Sequence, residues 1–238
     1  MNFVKKNMLK YSIYRRVLPK VKLQHKLDSM VGPIGYWDRL QHYQFNVLRK
    51  FGLQPHHQLL DIGCGPLQGG IAFIKYLNPK CYVGIDLKEQ VIEEAYLQVI
   101  REKLTAKIPV LAVVDDFGAN SLKRKFDYIW ASQMLYHLNE QKVDVLFEAV
   151  SGMLNDTGMF LCDIIGYPNR VKQTSQWNGF TFYLHSEDFI KKTGMKYGLM
   201  SEPVGTIEQY GYPSEIPLKT NVLFKISKYG NGSYQKLY

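Results

Sequence analysis

The chain has 238 residues, of which 46% are hydrophobic and 21% charged, so it is not a disordered protein and suits one domain with additions. Its three cysteines lack metal-ligand spacing, and no apolar run reaches the roughly 18 residues that span a bilayer, so the sequence predicts reduced thiols in a cytoplasmic protein. The formal net charge is +9, but eight lysines and arginines precede the first acid, Asp28. The remaining 22 basic and 21 acidic residues nearly cancel, which argues against a nucleic-acid partner for the body.

Residues 1–35 are predicted to form a basic N-terminal extension to a body that spans residues 36–238. Apolar residues recur at helical spacing up to Leu18, and residues 28–35 are predicted as a turn-rich hinge. Three interpretations of the extension stay open. It binds an anionic polymer or the inner membrane surface, it forms a lid or a homodimer contact over the substrate pocket, or it is a solvated helix without a partner.

The body alternates helices with apolar strands. The predicted helices cover residues 36–48, 71–77, 89–103 and 139–154, and the predicted strands cover residues 58–62, 81–87, 110–114, 126–131, 159–165, 195–201 and 220–227. Strands that are apolar throughout and separated by helices indicate a parallel sheet covered on both faces. Asn139 and Ser186 are predicted N-caps, and residues 155–158 a turn.

A glycine turn and two acids form the most informative pattern. Asp61 ends the first strand directly before Gly63-Cys64-Gly65, and Asp86 ends the second strand about twenty residues further on. Glycine reaches positive φ and lets a ligand approach the backbone, and the helix that follows presents free N–H groups. An ordinary strand–helix turn would explain the glycines but not two acids at strand ends. The pattern therefore predicts a nucleoside site in which Asp86 binds the ribose hydroxyls.

These motifs resemble those of the class I S-adenosylmethionine-dependent methyltransferases. The resemblance rests on residues 61–65, 84–86, 113–117 and 126–132, and it covers roughly residues 51–227. A dinucleotide dehydrogenase would carry a third glycine where this chain has Gln68. The family implies an α/β fold with a seven-stranded Rossmann-like sheet, mostly parallel with an antiparallel edge, helices on both faces and S-adenosylmethionine as cofactor.

The resemblance also implies the positions that hold the cofactor. One acid of Asp115-Asp116 would bind the adenine amino group beside Phe117, and Asp116 fits the family spacing better. The helix that begins near Trp37 would pack beside the cofactor. The implied cofactor-binding residues are Trp37, Asp61, Gly63, Cys64, Gly65, Asp86, Leu87, Asp116, Phe117, Ser132 and Gln133.

Methyl transfer requires an acceptor lone pair in line with the donor bond, and a hydroxyl acceptor needs a general base nearby. His137, just past the fourth strand, is the first candidate base, and packing is an equal alternative for it. The weaker candidates are His185, Tyr183, Tyr136 and Asp163. The long aromatic segment 166–185 is predicted to bind the acceptor. No acid cluster indicates a metal site.

The sequence thus predicts a methyltransferase that acts on a hydroxyl or amine of a small molecule or glycan. The chain is also similar to bacterial methyltransferases for sugars and small metabolites in three segments together: the helix with Trp37-Asp38, residues 63–70 and residues 132–138. An RNA or protein methyltransferase is an alternative, although no Asn-Pro-Pro-Tyr-type motif follows the fourth strand. The other alternative is an inactive cofactor-binding partner protein.

Overall fold

A computed structural model describes residues 20–166, 174–177 and 180–229. The helix predicted up to Leu18 and part of the predicted acceptor segment lie outside these ranges. The partners expected for residues 1–35, whether an anionic surface, a polymer or a second copy of the chain, therefore stay predictions.

The described residues form helices and strands in alternation. The helices are α1 (Lys20–Val31), α2 (Trp37–Lys50), α3 (Gly70–Tyr76), α4 (Glu89–Arg101), α5 (Glu140–Met153) and α6 (Glu187–Lys196). The strands are β1 (Leu59–Ile62), β2 (Tyr82–Asp86), β3 (Val110–Val113), β4 (Phe126–Ala131), β5 (Leu154–Ile164), β6 (Thr174–Trp177), β7 (Phe180–Tyr183), β8 (Leu199–Thr206) and β9 (Val222–Lys228).

Seven of these strands form one sheet in the order β3-β2-β1-β4-β5-β9-β8. Strands β1 to β5 run parallel, and β9 is antiparallel to both β5 and β8. The mixed, Rossmann-like sheet expected from the sequence is therefore confirmed. β2 and β3 follow β1 on one side of it in the sheet, and β4 and β5 lie on its other side, so the strand order changes direction between β1 and β4. Ligands of open α/β sheets bind at such a switch point.

Two hydrophobic clusters cover the two faces of the sheet. Successive strand residues point to opposite faces, so Leu59 belongs to one cluster and Leu60 to the other. The first cluster contains residues of α2, α3 and α4, including Phe73, and the second contains residues of α5 and α6, including Phe147. The predicted helices on both faces are confirmed.

The N-terminal hinge is shorter than predicted, because α1 continues to Val31. The reason lies in Asp28, which is only 3% exposed and accepts hydrogen bonds from Gln24 Nε2 and Gly35 N, each at 2.8 Å. The carboxylate joins the last turn of α1 to the loop that follows, so the predicted hinge begins as helix.

Three other predicted boundaries in the C-terminal half are wrong. Residues 155–158 belong to β5, because Leu154 pairs with Phe126 and the strand starts there. Met195 lies in α6, so β8 begins at Leu199 and continues through its pairing with β9 to Thr206. The predicted loop 166–185 contains the hairpin β6–β7. By contrast, Asn139 and Ser186 are N-caps, as predicted.

Candidate functional site

The glycine turn connects β1 to α3 at the carboxyl edge of the sheet. Gly63 and Gly65 have φ of 71° and 55°, a region that other residues enter only at a cost. Gly63 N and Cys64 N donate to Ile85 O at 2.9 and 3.0 Å, which fastens the turn to β2. The turn therefore presents bare backbone beside the end of β2, as the motif predicts.

Asp61 lies beneath this turn rather than at the surface. Its side chain is 4% exposed, and the Tyr82 hydroxyl donates to its Oδ2 at 2.7 Å. Burial raises the pKa of Asp61 to about 7, although the hydrogen bond from Tyr82 acts in the opposite direction. Cys64, which is also buried, has a raised pKa for the same main reason and stays a thiol at neutral pH.

Asp86 is held beside the glycine turn at the end of β2. Its Oδ2 accepts from Gly65 N at 3.3 Å, and its Oδ1 accepts from Lys88 N at 3.0 Å. Leu87 follows with 62% of its surface exposed. A fixed carboxylate next to an exposed apolar side chain suits a ribose and the base attached to it.

The two acids after β3 differ in their surroundings. Asp116 accepts from Gly118 N at 2.9 Å and from Asn120 N at 3.0 Å, so its carboxylate caps its own loop. Phe117, with φ of 55°, packs against the second hydrophobic cluster. Asp115 is exposed. Both acids stay candidates for the adenine amino group.

A buried hydrogen-bond network lies where β4 ends. Gln133, at φ 55°, donates its backbone N–H to Asp163 Oδ1 at 2.7 Å and its side-chain amide to Oδ2 at 2.6 Å. Asn221 Nδ2 also donates to Oδ2, at 2.9 Å. Asp163 is fully buried, and burial raises its pKa to about 6 against the opposing effect of these donors. Asp163 therefore holds the first residues after β4 in one conformation.

Two tyrosines extend this network across the end of the sheet. Tyr136 and Tyr212 each donate a hydroxyl hydrogen bond to Gln133 Oε1 at 3.3 Å. The ring of Tyr43, from α2, meets Tyr212 edge to face with centroids 5.2 Å apart. Sequence reasoning missed Tyr43 and Tyr212. Tyr43 follows the apolar spacing of α2 as a core residue would, and Tyr212 lies in a loop without a motif.

The two candidate histidines have different surroundings. His185 is 2% exposed, and its Nε2 lies 3.2 Å from Leu135 O and 2.9 Å from Leu138 O, so this nitrogen must carry a proton and donate. His185 thus fastens the loop after β4. His137 is exposed beside the rings of Tyr136 and Phe182, at 4.5 and 5.5 Å. The structure brings His137, and not the bound nitrogen of His185, to an accessible position.

The third candidate, Tyr183, is partly buried and pairs with Thr174 in the β6–β7 hairpin. Trp37 is the first residue of α2 and is also partly buried. Ser132 lies directly after β4, and its hydroxyl is buried. Each of these predicted roles stays a prediction.

Helix α1 packs over the glycine turn. A Cβ built on Gly65 would lie 2.9 Å from Val31 Cγ1. Lys26 Nζ reaches Glu94 at 2.7 Å, and Arg101 binds the same carboxylate, which is only 2% exposed. The ion pairs dock α1 on α4, so α1 covers one side of the predicted cofactor site.

The part of the chain that the structure describes contains no group of three or more metal-ligating side chains that could hold an ion. None of the described helices combines the length and apolar character that crossing a membrane requires.

Fold and site together define a class I S-adenosylmethionine-dependent methyltransferase. The bare turn at Gly63 and Gly65, the fixed carboxylate of Asp86 and exposed Leu87 fit an adenosyl group at the switch point of the sheet. Residues 60–160 match the model of a family described as the methyltransferase domain. A comparison with curated proteins gives no match.

Three methyltransferases of known structure share this fold. An S-adenosylmethionine-dependent methyltransferase from Clostridium acetobutylicum has a TM-score of 0.63 at 17% identity, over 88% of this chain and 99% of that chain. Magnesium protoporphyrin IX methyltransferase from Synechocystis, with bound S-adenosylmethionine, has 0.62 at 16% identity, over 92% and 97%. The glycopeptide N-methyltransferase MtfA with S-adenosylmethionine has 0.62 at 12% identity, over 79% and 94%. At these identities the likeness shows a shared fold.

Proposed function

We propose that this methyltransferase acts on a hydroxyl or amine of a small molecule or glycan. The observation that carries the proposal is the polar network of Gln133, Tyr136, Asp163 and Tyr212 at the ends of β4 and β5. The groups that suit the adenosyl moiety lie at the ends of β1 and β2, so the network lies on the side left for an acceptor. The buried carboxylate of Asp163 fixes Gln133, and rigidly held polar groups among aromatic rings are typical of sites for polar small molecules.

The residues of the site would have different roles in methyl transfer. When bound, S-adenosylmethionine supplies a methyl group on a sulfonium, which is already activated for transfer. Asp86 and the glycine turn would hold the adenosyl group, and residues 132–133 would orient the reacting groups. Fixed orientation supplies much of the rate in such a reaction, because it replaces an encounter in solution by a single geometry.

His137 is the candidate that would remove the proton of a hydroxyl acceptor. The rings of Tyr136 and Phe182 pack against His137 and partly desolvate its otherwise exposed imidazole, which lowers its pKa below the usual 6.5, and nearby Lys88 lowers the pKa further. The ring is therefore neutral at pH 7, which is the form that accepts a proton.

The names of two proteins with the same fold support a small molecule or a glycan-bearing compound as the acceptor. One is named a magnesium protoporphyrin IX methyltransferase and another a glycopeptide N-methyltransferase. The near neutrality of residues after Lys26 also favours a small polar acceptor over RNA, because a polyanion would require a basic surface on the body.

Two experiments test the proposal. Asp86→Ala should lower the affinity for S-adenosylhomocysteine by about a hundredfold or more in calorimetry, because a fixed, charged acceptor of two ribose hydrogen bonds is lost. Asp156→Ala is the matched control, since this acid is 94% exposed and pairs with Lys228 in β9. Unchanged affinity of the Asp86 variant would remove the ribose assignment.

The second experiment measures transfer of a labelled methyl group from S-adenosylmethionine to a panel of sugars, phenols, amines and RNA. The proposal expects transfer to one or more of the small polar compounds. Transfer to RNA alone would contradict it, and so would cofactor binding without transfer to any of them.

A further inference from the structure

Asp163 lies at the carboxyl end of β5 and is fully buried between the two neighbouring strands, β4 and β9. Its Oδ1 accepts from Gln133 N at 2.7 Å, and its Oδ2 accepts from Gln133 Nε2 at 2.6 Å and from Asn221 Nδ2 at 2.9 Å. Gln133 follows β4, and Asn221 directly precedes β9. One buried carboxylate thus fastens the segment that leaves β4 to the segment that enters β9.

The direction of each hydrogen bond in this cluster follows from the charge of Asp163. An ionised carboxylate can only accept, so the amide nitrogens of Gln133 and Asn221 must both face it. The oxygen of the Gln133 amide then points away from Asp163, where the hydroxyls of Tyr136 and Tyr212 donate to it. Because N–H donors occupy the carboxylate and no part of it reaches the surface, Asp163 does not suit the role of general base, for which it is one of the weaker candidates.

The segment that Asp163 holds packs against the glycine turn. Gln133 is not a glycine, so its φ of 55° costs conformational energy, and bonds from outside the residue must keep it there. Met134 follows, and a Cβ built on Gly63 would lie only 3.1 Å from Met134 Cγ. Residues 132–134 are partly exposed, in contrast to the buried Asp163 behind them. The backbone conformation of Gln133 therefore sets where Met134 lies beside the turn.

We infer that Asp163 is a positioning residue for S-adenosylmethionine, whose carboxylate acts through Gln133 to hold residues 132–134 against the glycine turn. Asp163 touches neither cofactor nor acceptor in this role. Without the carboxylate, Gln133 leaves its left-handed conformation and Met134 no longer forms a fixed wall beside Gly63. The inference depends on the cofactor of this enzyme class and not on the acceptor proposed above, so either one can fail without the other.

Asp163→Asn tests this inference, because the new side chain keeps the size but sets an NH₂ group against N–H donors. Calorimetry at pH 8, where a carboxyl with a pKa of about 6 is ionised, should show about tenfold weaker binding of S-adenosylhomocysteine. Asp127→Asn is the matched control. Asp127 accepts from Gln58 N at 2.8 Å and from Asn155 Nδ2 at 2.6 Å near the start of β4, at the opposite edge of the sheet. It should lower the urea midpoint and leave the affinity within twofold.

A second substitution should restore what the first removes. Gln133→Glu alone places a carboxylate against that of Asp163, so it should also weaken binding by about tenfold. In the double variant Asp163→Asn/Gln133→Glu, the new amide donates to the new carboxylate, which still accepts from Tyr136 and Tyr212, and Asn221 can turn its amide oxygen toward the cluster. The double variant should therefore bind S-adenosylhomocysteine within about threefold of the wild type, and more tightly than either single variant.

Three results would overturn the inference. The first is an affinity of Asp163→Asn within twofold of the wild type, and the second is an equal loss in Asp127→Asn, which would reflect stability alone. The third is a double variant that binds no better than the weaker single variant, because the carboxylate would then not act through Gln133. If Asp163→Asn is too unstable for calorimetry, the comparison of Gln133→Glu with the double variant decides in the same way.

Discussion

The buried carboxyl of Asp61 lowers the stability of the protein at neutral pH, and its replacement by asparagine should restore that stability. Burial raises the pKa of Asp61 from 3.8 to about 7. One pKa unit corresponds to about 1.36 kcal/mol, so the ionised group costs roughly 4 kcal/mol of unfolding free energy, as an upper bound. Asparagine has the same size and keeps an oxygen that can accept the hydrogen bond of Tyr82, but it carries no charge.

The stabilisation by Asp61→Asn should depend on pH in a defined way. Below pH 3.8 the carboxyl is protonated in both the folded and the unfolded chain, so it adds nothing to the pH dependence. Between pH 3.8 and about 7 the unfolded chain ionises while the folded chain keeps its proton, and the wild type loses stability as the pH rises. Above pH 7 the loss is complete. The advantage of the variant should therefore grow from near zero at pH 4 to its maximum above pH 7.

Urea unfolding at pH 5, 6, 7 and 8 measures this advantage. We expect about 1.5 kcal/mol at pH 5 and up to about 4 kcal/mol at pH 8. Asp156→Asn, at an exposed acid, should show no such increase. A gain that does not change with pH, or a variant less stable than the wild type at pH 8, would refute the assignment of a desolvated, ionisable Asp61.

Two further substitutions test the attachment of α1 and the candidate base. Glu94→Gln should lower the unfolding free energy, measured with urea, by about 3 kcal/mol, because Lys26 and Arg101 then face a buried neutral amide. Lys26→Ala should lower it by less than about 1 kcal/mol, since Lys26 is 54% exposed. Equal losses for the two variants would contradict this account of the ion pairs. His137→Ala should lower the methyl-transfer rate about 10²- to 10⁴-fold and leave S-adenosylhomocysteine affinity within twofold, and an unchanged rate would eliminate His137 as the base.

The part of the site that depends on local sequence was predictable. Asp61 lies two residues before Gly63, and Asp86 is the last residue of its own strand. Each of these positions can be recognised from its immediate neighbours in the sequence. The N-caps are equally local, since Asn139 accepts from Lys142 N and Ser186 from Phe189 N within one turn of helix. Such contacts follow from neighbouring residues and need no knowledge of distant ones.

The features that the sequence did not reveal arise from distant contacts. β5 begins at Leu154 because that residue pairs with Phe126, nearly thirty positions earlier. Tyr43 and Tyr212 meet across the site from α2 and from the loop after β8, and neither carries a motif. That the Asp116 carboxylate caps its own loop likewise follows from a loop geometry that the sequence does not show.

Asp61 and Asp163 are buried acids, and both lie near the carboxyl edge of the sheet. Both carboxyls are buried, and burial raises the pKa of each toward neutrality, so a core built for stability alone would carry neither. Each is held by donors from other strands or loops, Asp61 by Tyr82 and Asp163 by Gln133 and Asn221. The buried acids at the carboxyl edge of the sheet therefore lower the unfolding free energy while they hold polar groups in fixed positions. This is the pattern expected where a protein binds and orients its ligands.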